Sequence, residues 1–222
     1  MTALLGLDTS TAASAAAVLR ADGRGFDVRP APSRLDEPPA HARELMPAVG
    51  DALQRAGLGF GELDAIAVGV GPGGFTGLRI GIVTARGLAA SSGLELRPVS
   101  SLAALAAGAG PGEVLALIDA KRGELFAALY EDGEERWPPF AARPETLAER
   151  LLSAAVSPLA VGDGSVRFRD ELEAAGARVA PAESGSHTVS ALQVCRLAIG
   201  TAPVPAEAVV PDYLRAPDAK PR

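Results

Sequence analysis

The stretch from Gly69 to Ala89, GVGPGGFTGLRIGIVTARGLA, constrains the fold more than any other part of this 222-residue chain. The apolar run at 66–68 that leads into it has the composition of a buried strand. Gly69, Gly71, Pro72, Gly73 and Gly74 then form an elbow, because glycine reaches backbone angles that a Cβ forbids. A helix is expected directly after it, with Thr76 as N-cap. Such an elbow aims free N–H groups and the positive end of a helix dipole at one point, which suits a phosphate or another anion. It serves equally as a plain tight turn. It is not a Walker A loop, since no Gly-Lys-Ser/Thr follows, and it lacks the full dinucleotide fingerprint. Inside the helix, Gly77, Gly81, Ala85 and Ala89 recur every four residues and leave one face almost bare. An interior glycine costs about 1 kcal/mol against alanine. Close approach of another backbone offsets that cost, and the backbone belongs either to a partner or to the chain's own sheet.

The two halves of the chain look related. Residues 4–18, LLGLDTSTAASAAAV, and 115–129, LALIDAKRGELFAAL, each read as an apolar strand ending in an aspartate, a polar turn and a second apolar run. A weaker pair is IAVGVGPGGF (66–75) and LAVGDGSVRF (159–168). Repeats of this size point to duplication of a supersecondary unit. The remaining elements alternate in the α/β manner. Residues 40–56 place Leu45, Met46, Val49 and Leu53 on one helical face, with Pro47 inside and Gly57 as the stop. A strand at 96–99 leads to a helix at 100–107 capped by Ser100 or Ser101, and helices are expected at 144–155, 168–176 and 188–199. The proline-bearing stretch 26–39 reads as loop or irregular edge. We draw subdomains at 1–107 and 108–215, with 216–222 as a tail.

Composition narrows the function classes. A net charge of −6 argues against independent binding to a nucleic-acid backbone, and only the tail, with Arg215, Lys220 and Arg222, is locally basic. No apolar run reaches the roughly 20 residues that span a bilayer, and no signal peptide is visible. Cys195 stands alone in an apolar helical pattern and reads as a buried structural thiol, so the chain is expected in the cytoplasm.

Four constellations have the residues for chemistry. Asp8-Thr9-Ser10-Thr11 at a strand end suits a metal-bound phosphate, or a hairpin turn held by its own hydroxyls. The elbow, chiefly Gly71, Gly73 and Gly74, is the second. His41 and His187 are far apart in sequence and form no metal-binding array, and no nucleophile elbow is present. Asp119-Ala-Lys-Arg-Gly-Glu124 reads first as the solvated tip of a hairpin, with Lys121 and Arg122 as the alternative anion contacts.

Taken together, LDTST, HARELMP at 41–47, the glycine-rich block, VSSL at 99–102, LIDAKRGELFAALY at 117–130 and the closing PDYLR resemble the TsaB (YeaZ) family. The resemblance covers most of the first 130 residues and the tail; residues 131–205 add little. It implies a duplicated RNase H-like α/β fold of the actin, Hsp70 and sugar-kinase (ASKHA) group. It implies a non-catalytic subunit that pairs with the catalytic paralogue TsaD in making threonylcarbamoyladenosine in tRNA, with TsaE as a further subunit and tRNA met only through the complex. In that paralogue a His-x-x-x-His pair binds the metal; the positions here look like Ser101 and Leu105, so no catalytic residue and no metal are expected. The resemblance places the partner interface on Leu45, Met46, Val49, Leu53, Gly77, Leu78, Gly81 and Ala85. Asp8, Thr9, Ser10, Gly71, Gly73 and Gly74 become a vestigial nucleotide or phosphate site, and a nucleotide at the subunit boundary is the one cofactor expected. A homodimer is expected when the chain is alone. An ATP-dependent small-molecule kinase of the same fold group, using Asp8 and the elbow, is the alternative, and a metallopeptidase is the third reading.

Overall fold

The computed structural model of the protein describes residues 2–31 and 37–214; Pro32 of the proline-bearing stretch and the tail from Arg215 onward lie outside them. The first half carries β1 (Leu4–Asp8), β2 (Ala15–Leu19), β3 (Gly25–Val28), α1 (His41–Ala56), β4 (Ala65–Gly71), α2 (Phe75–Ser92), β5 (Glu95–Ser100) and α3 (Ser101–Ala109). The second half carries β6 (Glu113–Lys121), β7 (Glu124–Glu131), β8 (Glu134–Ala142), α4 (Pro144–Ala154), β9 (Leu159–Val161), α5 (Asp163–Arg167), α6 (Arg169–Ala174), β10 (Arg178–Val179) and α7 (Ala191–Ala198).

The strands form two five-stranded sheets, ordered β3-β2-β1-β4-β5 and β8-β7-β6-β9-β10. In each, the first strand pairs antiparallel with the second and parallel with the fourth. This is one mixed topology used twice, and the duplication read from the sequence is real. The fold is the duplicated RNase H-like α/β fold.

Both faces of each central strand are covered, which is why those strands read as continuous apolar runs. Alternate residues explain the layers. Leu5, Leu7, Ile66 and Val68 pack outward against Leu45, Val49 and Ala52 of α1 and Ile82 and Ala85 of α2. Leu4, Ala65 and Ala67 turn inward to α3 and α7, where Val114, Ala116 and Ile118 of the second sheet join them. Leu115, Leu117 and Leu125 close the far side against Leu147 and Leu151 of α4 and Leu172 of α6. Although α7 follows the second sheet in sequence, it packs on β1 and β2 of the first.

Local expectations meet the structure with some differences. α1 continues through Pro47, and Gly57 ends it in the left-handed conformation. The helix after the elbow begins at Phe75, so its N-cap is Gly74 and not Thr76. Gly74 is extended there and its N–H is tied to the Ser10 carbonyl at 2.7 Å, so the helix starts two residues earlier than expected. Ser100 caps α3 through the Ala103 N–H at 3.3 Å. The stretch 26–39, read as loop or irregular edge, begins in an edge strand, β3, paired with β2. No helix among the described residues is long and apolar enough to cross a membrane.

Candidate functional site

Where the two halves face each other lies a cleft of about 1220 Å³. One wall is the Ser10–Ala12 loop with the first turns of α1 (His41, Ala42, Arg43) and α2 (Gly74–Gly77); the other is Asp119, Lys121, Asp163 and Arg167. Neither Ala40 nor Gly74 supplies a side-chain cap to its helix. The first N–H groups of both helices therefore carry their partial positive charge to this wall without a capping side chain.

Across the cleft the charges are paired. Asp119 accepts hydrogen bonds from Lys121 Nζ (2.9 Å) and Arg167 Nη1 (2.8 Å) on Oδ2, and from the Lys121 N–H (2.8 Å) on Oδ1. Lys121 and Arg167 stay well exposed, so both cations also face solvent. Asp163 Oδ1 accepts the Asp119 N–H at 3.0 Å. Burial, reinforced by the nearby Asp119 charge, pushes the Asp163 carboxyl up to about 6. The Asp119–Lys121 stretch is the hairpin end expected from the sequence, with Lys121 and Arg122 at positive φ, and Lys121 lines the cleft as well.

Asp8 lies behind this surface. It is 1% exposed, and both carboxylate oxygens are satisfied inside the chain. Oδ1 accepts the Ser10 N–H (2.9 Å) and Ser10 Oγ (2.6 Å); Oδ2 accepts Ser101 Oγ (2.6 Å). Ser101 Oγ also accepts the Gly71 N–H at 3.2 Å, so one hydroxyl joins the ends of β1, β4 and α3. Burial raises the Asp8 pKa against the opposing pull of these hydrogen bonds. Thr9 Oγ1 donates to the Gly77 carbonyl at 2.8 Å. Of the phosphate-site residues expected from the sequence, Ser10 and Gly74 reach the cleft wall, whereas Asp8, Thr9, Gly71 and Gly73 do not line it.

The bare helical stripe meets the chain itself. A Cβ on Gly77 would run into the Thr9 carbonyl oxygen, and one on Gly81 into Thr9 Oγ1. Leu78 and Ala85 are fully buried, as are Leu45 and Val49; Leu53 is nearly so. Of the residues read as interface, all but Met46 thus lie on the buried sides of α1 and α2, because the Thr9 loop and the first sheet occupy the space that the stripe leaves. Met46, Phe75 and Val83 are the large apolar side chains of the two helices that remain exposed, at 44%, 40% and 65%.

Both histidines are buried. His41 pairs Nδ1 with Ser14 Oγ at 2.9 Å, and burial lowers its pKa. His187 sits among the carbonyls of Gly162, Ala180 and Pro181 and the Ser165 hydroxyl. Leu105 is buried in the central core. Cys195 is buried, and burial raises its pKa. Asp163 and Arg167 were missed by sequence reasoning, although both stand in the VGDGSVRF repeat that matches the elbow. Among the described residues, no group of three or more His, Cys, Asp or Glu is arranged to hold a metal ion.

Comparison with known proteins adds a family. The family model described as "TsaD: tRNA N6-adenosine threonylcarbamoyltransferase" matches residues 38–158. The chain is 38% identical over 138 residues to the tRNA threonylcarbamoyladenosine biosynthesis protein TsaB of Escherichia coli, a match covering 57% of this chain and 59% of that protein. It is 33% identical over 220 residues to an uncharacterized protein of Mycobacterium tuberculosis, covering 98% of this chain and 94% of that one. The solved structure of YeaZ from Pseudomonas aeruginosa superposes with a TM-score of 0.78 at 32% identity, covering 96% of this chain and 100% of that one. The chain spans about half the length of the curated relatives named TsaB that it matches.

Proposed function

The chain belongs to the TsaB (YeaZ) family, and from that premise we propose that it is a non-catalytic, activating subunit in the biosynthesis of threonylcarbamoyladenosine in tRNA. Its partner in this reading is the catalytic paralogue of the TsaD type, with TsaE as a further subunit, and tRNA is reached through the complex. The observation that carries the reading is the closure of Asp8. A strand-end carboxylate serves phosphate or metal chemistry when it faces a cleft, and this one is turned inward onto Ser10 and Ser101. Of the positions matched to the paralogue's histidine pair, Ser101 donates a hydrogen bond to the Asp8 carboxylate and Leu105 is a core leucine.

The partner surface proposed is the solvent face of α1 and α2 around Met46, Phe75 and Val83, with the buried interface residues of the sequence reading forming the layer beneath it. The same face would support a homodimer of the chain alone. A nucleotide at the boundary fits the cleft wall: the first-turn N–H groups of α2 would hold phosphate oxygens, with the exposed cations Lys121 and Arg167 opposite. The kinase alternative requires Asp8 to reach that nucleotide, and Ser10 stands between them. The test is co-purification of the tagged chain with the TsaD-type paralogue of its own organism. The expected result is a stoichiometric complex that Val83→Asp weakens, with no nucleotide turnover by the chain alone. Turnover by the chain alone that Asp8→Ala abolishes would restore the kinase.

A further inference from the structure

The segment after α7 returns to the first half and fastens the outside of the elbow. The Val204 N–H donates to the Leu96 carbonyl at 2.9 Å, and Val209 is fully buried in the α1/α2 core. The Asp212 N–H donates to the Val70 carbonyl at 2.8 Å, one residue before the elbow's Gly71. The Tyr213 ring stacks on Phe75, the first residue of α2, with centroids 5.4 Å apart. Arg79, one turn on, places its guanidinium 3.7 Å over the Phe75 ring and donates from Nε to the Tyr213 hydroxyl at 3.0 Å. Leu214 then packs on the central core. Pro203, Pro205 and Pro211 restrict this segment before it docks, which lowers the entropy lost in ordering it. The Thr9 hydroxyl and the Ser10 carbonyl hold the first turn of α2 from within, and these contacts anchor it from the outer side.

We propose that residues 204–214 are a strap that fixes the elbow and the first turn of α2, so that docking on the α1/α2 face is controlled from the C-terminal segment. The docking half rests on the partner reading above; the ordering half does not. Phe75 is at once the strap's anchor and part of the exposed apolar face, which is how one contact serves both. Loosening the strap lets the first turn fray, and a partner must then re-order it on binding.

The experiment is hydrogen exchange on the intact chain and on full-length Tyr213→Ala and Tyr213→Phe, followed by their affinities for the TsaD-type paralogue. Exchange in β6 and β7 serves as the internal control for folding. Tyr213→Ala is expected to speed exchange of the segment 70–78 by about tenfold and to weaken association by a similar factor. Tyr213→Phe, which keeps the ring stack, is expected to stay close to the parent in both. Unchanged exchange at 70–78 in Tyr213→Ala overturns the strap. Faster exchange with unchanged affinity overturns its control of docking. A parent chain that does not bind the paralogue removes the partner reading and the docking half with it, while the exchange measurement still decides the ordering half.

Discussion

Asp8 and Asp119 hold equivalent places in the duplicated sheets, at the end of the central strand of each half, yet their surroundings are opposite. Asp8 is enclosed by hydroxyls and a backbone N–H from its own half and does not line the cleft. Asp119 stands on the cleft wall between two exposed cations, Lys121 and Arg167. The difference lies in the segments that follow the matched strands. After β4 the chain makes a glycine elbow and a long helix whose bare face admits the Thr9 loop, and that loop shuts Asp8 in. After β9 the shorter α5 brings Asp163 and Arg167 to the wall instead. One topology thus gives a sealed polar hub in one half and an open charged wall in the other.

The most severe way to break this contrast is to fill the stripe. Gly81→Leu is expected to lower unfolding free energy by about 3 kcal/mol, since the new side chain must displace Thr9; urea denaturation measures it. A variant as stable as the parent would mean that the Thr9 loop does not seal the half. Next come the carboxylates themselves. Asp8→Ala leaves the Ser10 and Ser101 hydroxyls without their acceptor in a buried place and is expected to cost about 2 kcal/mol. Asp119→Ala removes a carboxylate that is itself buried but leaves its two cation partners in water, and is expected to cost less, about 1 kcal/mol. Paired denaturation curves compare them, and an inverted order would undo the distinction between hub and wall.

A smaller effect sharpens the second half. The folded Asp163 carboxyl keeps its proton to about 6, above its ordinary 3.8. Between those values the folded chain binds more protons than the unfolded one, so stability falls as pH rises through that window. Asp163→Asn is expected to flatten the melting temperature across this range; an unaltered slope would assign it to another group. The mildest change is Val83→Asp on the exposed face, which should move stability by less than about 0.5 kcal/mol while weakening association with the partner in a titration.

Much of the layout was legible beforehand because periodicity and duplication are written in apolar residues. The strand ending in Asp8, the match of 4–18 to 115–129 and the elbow into α2 all follow from that pattern. What the pattern does not encode is which neighbour fills a bare face. Gly77 and Gly81 advertise close approach, but the sequence does not say that Thr9, nearly 70 positions earlier, is what approaches. For the same reason Leu45 and Val49 read as partner interface, although they pack in the chain's own core. Asp163 and Arg167 were hidden for another reason: their place on the cleft depends on α5 folding back toward β6, a long-range fact carried by Gly164 against Leu125 and Asp119 rather than by any motif.

The most direct test of the central claim is reconstituted transfer of threonylcarbamoyl to tRNA, supplied with an activated donor, by this chain alone, by its TsaD-type paralogue alone and by the two together. The account predicts product only from the mixture, and the same product when the chain carries Asp8→Asn. Transfer by the isolated chain, or a mixture no better than the paralogue by itself, would contradict it.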